Sequence, residues 1–457
     1  MKKVLTILSI FALSITNNSL CQEITKRIVA ENIQVPWEMR WGPDNHIWVT
    51  GIDGILYRLH PDTGQQDTII SSLPDFIRYS TNEPGLLGFD IINNTTYYSF
   101  ILAYTALTTQ SNVIMRVVRY DYELQSKNVT YRGAVIDSIP AGFAQVGCRI
   151  KMYDDSLLLI TIGDGGIFDP NPAQDLQSYA GKTLRLKLDG SIPNDNPFPG
   201  NAIWSWGHRN HQGLCMTKKG TIFSTEHGTQ GNDEINIIKK GGNYGWPFIE
   251  GKCDSPPEEK FCQDSQVVEP IRDFTPSIAP AGIEYYDGSI FTEWKNSLLV
   301  ASLRAPFFSV FRLNESEDLL SEWQQISVEQ SRLRSICVSP EGRVFLGKSQ
   351  GDHYGTRNNK DNAIIEILPQ KTSINDDNIK NKIPRLSRLA NQIIIENAAN
   401  VQKVEIMTLL GEKILYSNAQ SSDRQTITLN ENYSTVLFIL ITLDNLTQMI
   451  QKLPWLN

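Results

Sequence analysis

The chain has 457 residues, 40% hydrophobic and 20% charged. That composition excludes a wholly disordered, collagen-like or coiled-coil protein, and the length alone predicts about three domains, or fewer if they are large all-β units. The 42 Lys and Arg against 50 Asp and Glu give a formal net charge of −8, which argues against general binding of nucleic acid, since that needs a basic face.

Lys2 and Lys3 precede an apolar run over residues 4–15, a polar stretch over 16–19, and then Ser19-Leu20-Cys21. This is the order of an export signal, and residues 1–21 are expected to be removed by cleavage after Cys21. The rival is a lipid-anchored Cys21, for which Leu20 is a poor preceding residue. The apolar run is too short to span a bilayer well, and no later segment reads as a transmembrane helix. An exported chain can hold disulfides. Cys253 and Cys262 flank a polar, Pro-rich loop and are expected to pair, whereas Cys148, Cys215 and Cys337 sit in apolar strand-like runs and read as buried thiols. The lack of CxxC spacing argues against a cysteine zinc site.

From about residue 27 to 368 a unit recurs with variation: strand, turn, strand, loop, strand. Residues 41–50 lead to 54–59, and a less regular copy runs from Leu86 through Tyr97 to Asp121. Residues 152–161 then lead to 182–188, 216–225 to 233–238, 296–302 to 308–313, and 338–346 to 362–368. Each copy alternates with period two or is apolar throughout, and none sustains a 3.6-residue period. Six copies predict an all-β chain built on a six-bladed β-propeller of four-stranded blades, whose radial closure protects the strand edges. A pair of β-sandwiches is the structural rival, but it would not require this repeat.

Residues 369–384 are polar, include Asn375-Asp-Asp-Asn378, and read as a linker. Apolar runs at 392–396, 404–407, 413–416, 426–429 and 436–442, with a tail at 448–453, predict a small β-sandwich over 385–457.

The densest cluster of unusual residues is Gly207-His-Arg-Asn-His-Gln-Gly213, followed by residues 226–234 and 241–247. Glycines let backbone carbonyls turn toward a ligand, and carbonyls and carboxylates are what Ca²⁺ prefers. The same glycines would equally serve tight turns between blade strands. A second cluster is basic. Arg304 follows a strand, and Arg332 and Arg334 alternate before another, so that both can face one side. Such a pair suits a polycarboxylate ligand; the alternative is a solvated charged edge.

With these residues in view, the chain over about 27–368 resembles the soluble PQQ-dependent glucose and aldose sugar dehydrogenases, the glucose/sorbosone dehydrogenase family. The resemblance rests on Trp41-Gly-Pro-Asp44, Gly85-Leu-Leu-Gly-Phe89, Ile162-Gly-Asp164, Gly181-Lys-Thr-Leu-Arg-Leu186 with residues 189–193, Gly207-His-Arg-Asn210, Asp233-Glu-Ile-Asn236, residues 241–247 and Ser277-Ile-Ala-Pro280. It implies a PQQ cofactor, a Ca²⁺ ion and oxidation of an aldose C1 hydroxyl to the lactone, with hydride passing to PQQ. Arg209 and Asn210 match the pair facing the quinone and the sugar. The carbonyls of Gly228 and Thr229 match those that hold the Ca²⁺, although relatives often carry Pro at the second position. Arg304, Arg332 and Arg334 match residues that meet the cofactor. Glu83, Asp164 and Asp169 fall at sugar-facing positions, and Asp164 groups with Gln145 and Arg209 as catalytic. A second, structural Ca²⁺ is implied at Glu234, Tyr244, Glu250 and Asp254.

One departure stands out. The family's general base is a His in a segment resembling His-x-Gly-x-Arg, whereas here Gln145-Val-Gly-Cys-Arg149 occupies that place. Gln cannot accept a proton at neutral pH. Among the six histidines, His46 and His60 read as structural, while His208, His211, His227 and His353 are candidates to reach the pocket. Glu83 or Asp169 could act as base if its pKa suited.

The C-terminal region resembles the type A sorting domains of type IX secretion, through residues 404–415 and the late apolar strand. It lacks the Pro-Asn-Pro opening and has Ser434-Thr435 where Gly is common. This implies the type IX secretion machinery as a partner and a place outside the cell or on its surface; without a sorting role the protein would be periplasmic. The other expected partners are an aldose sugar and an electron acceptor, with no nucleic acid. Two rival functions stay open. One is a non-catalytic carbohydrate- or protein-binding propeller that kept its cation loops, which Gln145 favours. The other is a Ca²⁺-dependent lactone hydrolase, which explains the arginines less well.

Overall fold

The computed structural model describes residues 24–369 apart from 79–82, 94–96, 155, 167–170, 306, 329–331 and 350–361, together with 385–389, 392–396, 401–408, 413–418, 424–429, 437–443 and 448–453. The expected signal segment, 1–21, lies outside these residues, as does the expected linker except for Pro369, which ends a strand. The chain divides into two units, Met1–Pro369 and Gln370–Asn457.

The first unit is a six-bladed β-propeller of four-stranded antiparallel sheets. Blade 1 runs Pro36–Trp41, Ile47–Gly51, Ile55–Leu59 and Gln66–Ile70; blade 2 runs Leu86–Asn93, Tyr97–Leu107, Val113–Glu123 and Val129–Pro140. Blade 3 runs Ile150–Met152, Leu157–Ile162, Lys182–Lys187 and Ile203–Trp206, and blade 4 His211–Met216, Ile222–Glu226, Asp233–Ile237 and Arg272–Phe274. Blade 5 runs Pro280–Tyr286, Ser297–Ser302, Phe307–Leu313 and Leu320–Ser327. Blade 6 takes Leu333–Val338, Val344–Lys348 and Ala363–Pro369 from the end of the unit, and its outer strand, Ile24–Glu31, from the beginning. That outer strand pairs antiparallel, Ile28 opposite Ile365 and Glu31 opposite Ala363. The closure is pinned where Glu366 accepts from Arg27 (2.5 Å) and Arg343 (2.7 Å).

The blades adhere through apolar faces. Trp48 and Leu56 of blade 1 pack with Phe89, Phe100 and Tyr104 of blade 2. Phe308 of blade 5, beside Trp294, packs with Leu333 and Leu346 of blade 6. Innermost strands are largely buried yet not apolar throughout: Pro36–Trp41 carries Glu38 and Arg40, and Leu333–Val338 carries Arg334. Outer strands are half solvated; Gln66–Ile70 alternates exposed and half-buried residues until Ile70.

Where the inner strands converge, the core is ionic. Arg40 meets Glu38 (3.2 Å), Asp90 (3.4 Å) and Glu284 (3.5 Å), and Lys151 meets Glu284 (3.6 Å). Arg149, 1% exposed, pairs with Glu38 at 3.3 Å. It also donates to the carbonyl oxygens of Trp37, Gln212 (2.7 Å) and Arg334 (3.1 Å), so one blade 3 side chain ties blades 1, 4 and 6 together. Removing one partner of such a buried pair leaves uncompensated charge, at a cost of about 3–5 kcal/mol. Arg149→Leu is therefore expected to lose stability on that scale, read as a fall in the denaturant midpoint at unchanged m-value; a change below about 1 kcal/mol would contradict this role.

Cys253 and Cys262 form a disulfide, and Cys148, Cys215 and Cys337 are free and buried. The segment between the paired cysteines is not the loop expected from its prolines. Pro256–Ser265 is an α-helix with Pro at its start. Ser255 donates to Glu258 from its backbone N–H (3.2 Å) and its hydroxyl (2.6 Å). Ser-Pro-Pro-Glu is thus a capping box with Pro where the missing N–H costs nothing.

In the second unit, Arg385–Leu389, Gln392–Glu396 and Arg424–Thr428 form one sheet, and Val401–Thr408, Lys413–Asn418, Leu437–Leu443 and Gln448–Leu453 another. Ile393, Ile395 and Ile427 of the first share a core with Val404, Ile406, Ile439 and Ile441 of the second, the two-layer arrangement of a sandwich.

Candidate active site

A cavity of about 480 Å³ gathers residues from loops after five blades or between them: Glu83, Gln145, Arg209, Asn210, Gly228, Thr229, Arg304, Arg332 and Arg334 all line it, with His227 and Asp233. Nine of the residues singled out from the sequence therefore share one wall. Asp169 lies outside the described residues, as does His353.

The floor is built by buried carboxylates. Glu226, 4% exposed, accepts from the Arg209 backbone N–H and pairs with His208 Nδ1 at 3.0 Å. Asp233, 1% exposed, accepts from Gly228 N (3.1 Å), Ser277 Oγ (2.7 Å) and Ala279 N (2.8 Å), which fixes the 227–229 loop against the entry to blade 5. A Cβ on Gly228 would collide with the Gly231 carbonyl oxygen, so the loop can double back only on glycine. Thr229 donates to Glu250 Oε2 from its N–H (3.1 Å) and its hydroxyl (2.9 Å).

Four guanidinium groups face the space. Arg332 donates to Leu303 O (2.8 Å). Arg334 donates to Gln212 Oε1 (3.1 Å) and Ser349 Oγ (3.2 Å), and stacks 4.4 Å over Trp37. Arg304 is exposed at the rim. Arg209 lies 5.2 Å over Trp246 and donates through Nη1 to His227 O (3.0 Å) and Gly228 O (2.8 Å). Glu83 holds the loop before blade 3 by accepting from Val146 N (3.1 Å).

Gln145 joins two charged groups. With its amide nitrogen toward Asp164 (2.8 and 3.3 Å) and its oxygen toward Arg209 Nη2 (2.9 Å), both ends are satisfied; the opposite orientation would set like against like, so the network assigns this one. Asp164, 4% exposed, also accepts from Gly166 N (2.8 Å) and Trp246 Nε1 (3.0 Å). Burial pushes its carboxyl up to about 6, against the pull of Gly166, Arg209 and Trp246. A folded value above the unfolded one means that this group's stabilisation is complete below about pH 4 and is lost as pH rises through about 6. Asp164→Asn is expected to flatten that part of the stability–pH curve, worth up to about 3 kcal/mol; equal slopes in urea titrations of both proteins between pH 4 and 7 would refute it.

The histidines sort cleanly. His208 and His211 are fully buried, bonded to Ser205 Oγ (2.8 Å) and Ser224 Oγ (2.7 Å). Burial holds His208 well below its usual range and pushes His211 down to about 3. His227 reaches the cavity wall, but its Nε2 donates to Pro280 O (2.9 Å), and burial takes it down to about 4. His46 and His60 meet edge to face beside the strands of blade 1, 5.2 Å between centroids.

Beside the cavity is a hollow of about 10 Å³, the space of one water or ion, lined by Glu226, Asn232, Glu234, Tyr244 and Glu250 among others. Three of the four residues implied for a second cation meet there. Asp254 does not: it is exposed and outside the lining, because the chain turns at Gly251 toward the capped helix. Trp246, Asp233 and Glu226 were quoted from the sequence only as motif positions; their contacts with Arg209 and the 227–229 loop depend on segments far apart in the chain.

The architecture is a six-bladed propeller with a cavity lined by four arginines and by residues 227–229. The profile of the glucose/sorbosone dehydrogenase family matches residues 33–355, and the chain belongs to that family. It is 28% identical over 437 residues to quinoprotein glucose dehydrogenase B of Acinetobacter calcoaceticus, covering 77% of this chain and 90% of that one. It is 26% identical to an aldose sugar dehydrogenase of Escherichia coli, covering 71% and 89%. The PQQ-bound aldose sugar dehydrogenase of Streptomyces coelicolor superposes with a TM-score of 0.65 at 27% identity, over 76% of this chain and 98% of that one.

Proposed function

We propose that the protein is an exported PQQ- and Ca²⁺-dependent dehydrogenase that oxidises the C1 hydroxyl of aldose sugars to lactones, slowed at proton removal by Gln145. The observation that carries this is the convergence of Arg209, Arg304, Arg332 and Arg334 on one cavity with Asn210 and the 227–229 loop. The donor set fits a planar tricarboxylate quinone, and the loop carbonyls are oxygen donors of the kind Ca²⁺ takes.

PQQ, when bound, supplies the two-electron acceptor. Arg304, Arg332 and Arg334 would pair with its carboxylates, and Gly228 and Thr229 would offer carbonyls to Ca²⁺. Arg209, held by Glu226 and backed by Trp246, is placed to stabilise negative charge developing on the sugar oxygen. Asn210 and Glu83 would orient the sugar. Gln145 fills the place of a base without offering one, because its oxygen faces a cation and its nitrogen carries no basic lone pair. Glu234, Tyr244 and Glu250 would take the second cation. The N-terminal signal pattern supports export, and the likeness of the C-terminal unit to type A sorting domains supports the type IX machinery and a place outside the cell or on its surface.

Gln145 favours a second reading, a carbohydrate- or protein-binding propeller without turnover. PQQ titration of the purified protein with and without Ca²⁺, by absorbance and thermal shift, separates the two. Tight, Ca²⁺-dependent binding supports the dehydrogenase; no binding in excess Ca²⁺ sinks it and leaves the binding propeller.

A further inference from the structure

Arg209 already occupies one of the carbonyls that a cation would take. Its Nη1 lies 2.8 Å from Gly228 O and 3.0 Å from His227 O, and its Nη2 lies 2.9 Å from Gln145 Oε1. Its Nε is buried with no hydrogen-bond partner among the described residues, so this pose spends the fork on carbonyls and leaves a donor unused. A divalent cation binds carbonyl oxygen at about 2.3–2.6 Å. Seated on Gly228 O, it would stand only about 5 Å from the guanidinium nitrogen bonded to the same atom, where two positive charges repel strongly in a partly buried site.

We infer that Arg209 is an internal cation that competes with the divalent ion for the Gly228 carbonyl, and that Gln145 latches it there. The inference rests on the calcium-dependent reading of the cavity and deepens it. Cation binding requires Arg209 to release Gly228 O and Gln145 Oε1, and the freed fork can then turn toward the cofactor and sugar. The amide of Gln145 serves the latch because it supplies an acceptor for Nη2 and a donor for Asp164 at once. By linkage, whatever loosens the latch tightens the cation and, through it, the cofactor.

The test is a Ca²⁺ titration of the full chain by isothermal calorimetry, without PQQ, on wild type, Gln145→Ala and Arg209→Met. Gln145→Ala is expected to bind Ca²⁺ about tenfold more tightly, since one charge-assisted hydrogen bond holding the competitor is lost with no change of charge. Arg209→Met is expected to gain about a hundredfold or more. Arg209 also borders the smaller hollow, so a gain in that variant alone would be a general charge effect and would overturn the latch. Unchanged or weaker binding in both variants overturns it too, as does failure of every protein to bind Ca²⁺. Gln145→Ala removes no buried charge, so it decides the matter if Arg209→Met does not fold. A parallel PQQ titration keeps the two ideas apart. Calcium affinities that rise as expected in proteins that never bind PQQ support the latch while the dehydrogenase reading falls. Calcium-dependent PQQ binding with variant affinities unmoved does the reverse.

Discussion

Replacing Gln145 with histidine is expected to raise sugar oxidation by the PQQ-loaded protein by about 10²–10⁴-fold, the usual worth of a positioned general base. The supports for such a base are in place. Asp164 already accepts from the residue at 145 at 2.8 Å, and it is itself fixed by Trp246 and Gly166. An imidazole donating to Asp164 through one nitrogen would hold the other as a lone pair, the arrangement that sets a catalytic tautomer. Burial beside Asp164 and Arg209 would shape the pH profile, with activity rising as the imidazole loses its proton. The measurement is kcat with PQQ occupancy checked by absorbance. Turnover unchanged at full occupancy would mean that proton removal does not depend on position 145.

The second large effect concerns the cofactor. Arg304→Leu combined with Arg332→Leu is expected to weaken PQQ binding by about 10²–10⁴-fold, because each charge-assisted hydrogen bond is worth about 1.5–3 kcal/mol. Arg334 is left in place because it also stacks on Trp37 and bonds Gln212 and Ser349, so its loss would mix binding with folding. Arg304 is exposed and Arg332 has a carbonyl partner at Leu303, so the melting temperature without PQQ should move far less than the affinity. Affinity within threefold of wild type would remove these arginines from the cofactor's site.

Middle strands such as Leu157–Ile162 were legible because they are apolar nearly throughout. The outer strands were not. Ile24–Glu31 and Gln66–Ile70 carry charged and amide residues on solvated faces and read locally as loops. The helix at 256–265 buries none of its residues, so it has no apolar stripe, and its signature lies only in the cap. Arg209, Arg332 and Gln145 could be placed because they sit in or beside motifs that resemble the family's, and all three line the cavity. Asp254 could not, because the chain between Glu250 and the helix takes a path set by the disulfide and the cap. Glu226 and Asp233 look like ordinary strand carboxylates until the fold brings backbone donors from other segments to them.

Blade 6 sets the order of assembly. Arg27 and Glu366, whose pairing fastens the ring, are 339 residues apart in the chain. Until Ala363–Pro369 has emerged, Ile24–Glu31 has no strand to join, and blade 6 cannot be completed. Contacts at such separation form late and slowly, and until they form the outer edge of Ala363–Pro369 stays unpaired. The propeller is therefore a fold completed from both ends of its unit, and a chain shortened by its first strand would keep blade 6 as three strands with the outer edge of Ala363–Pro369 unpaired.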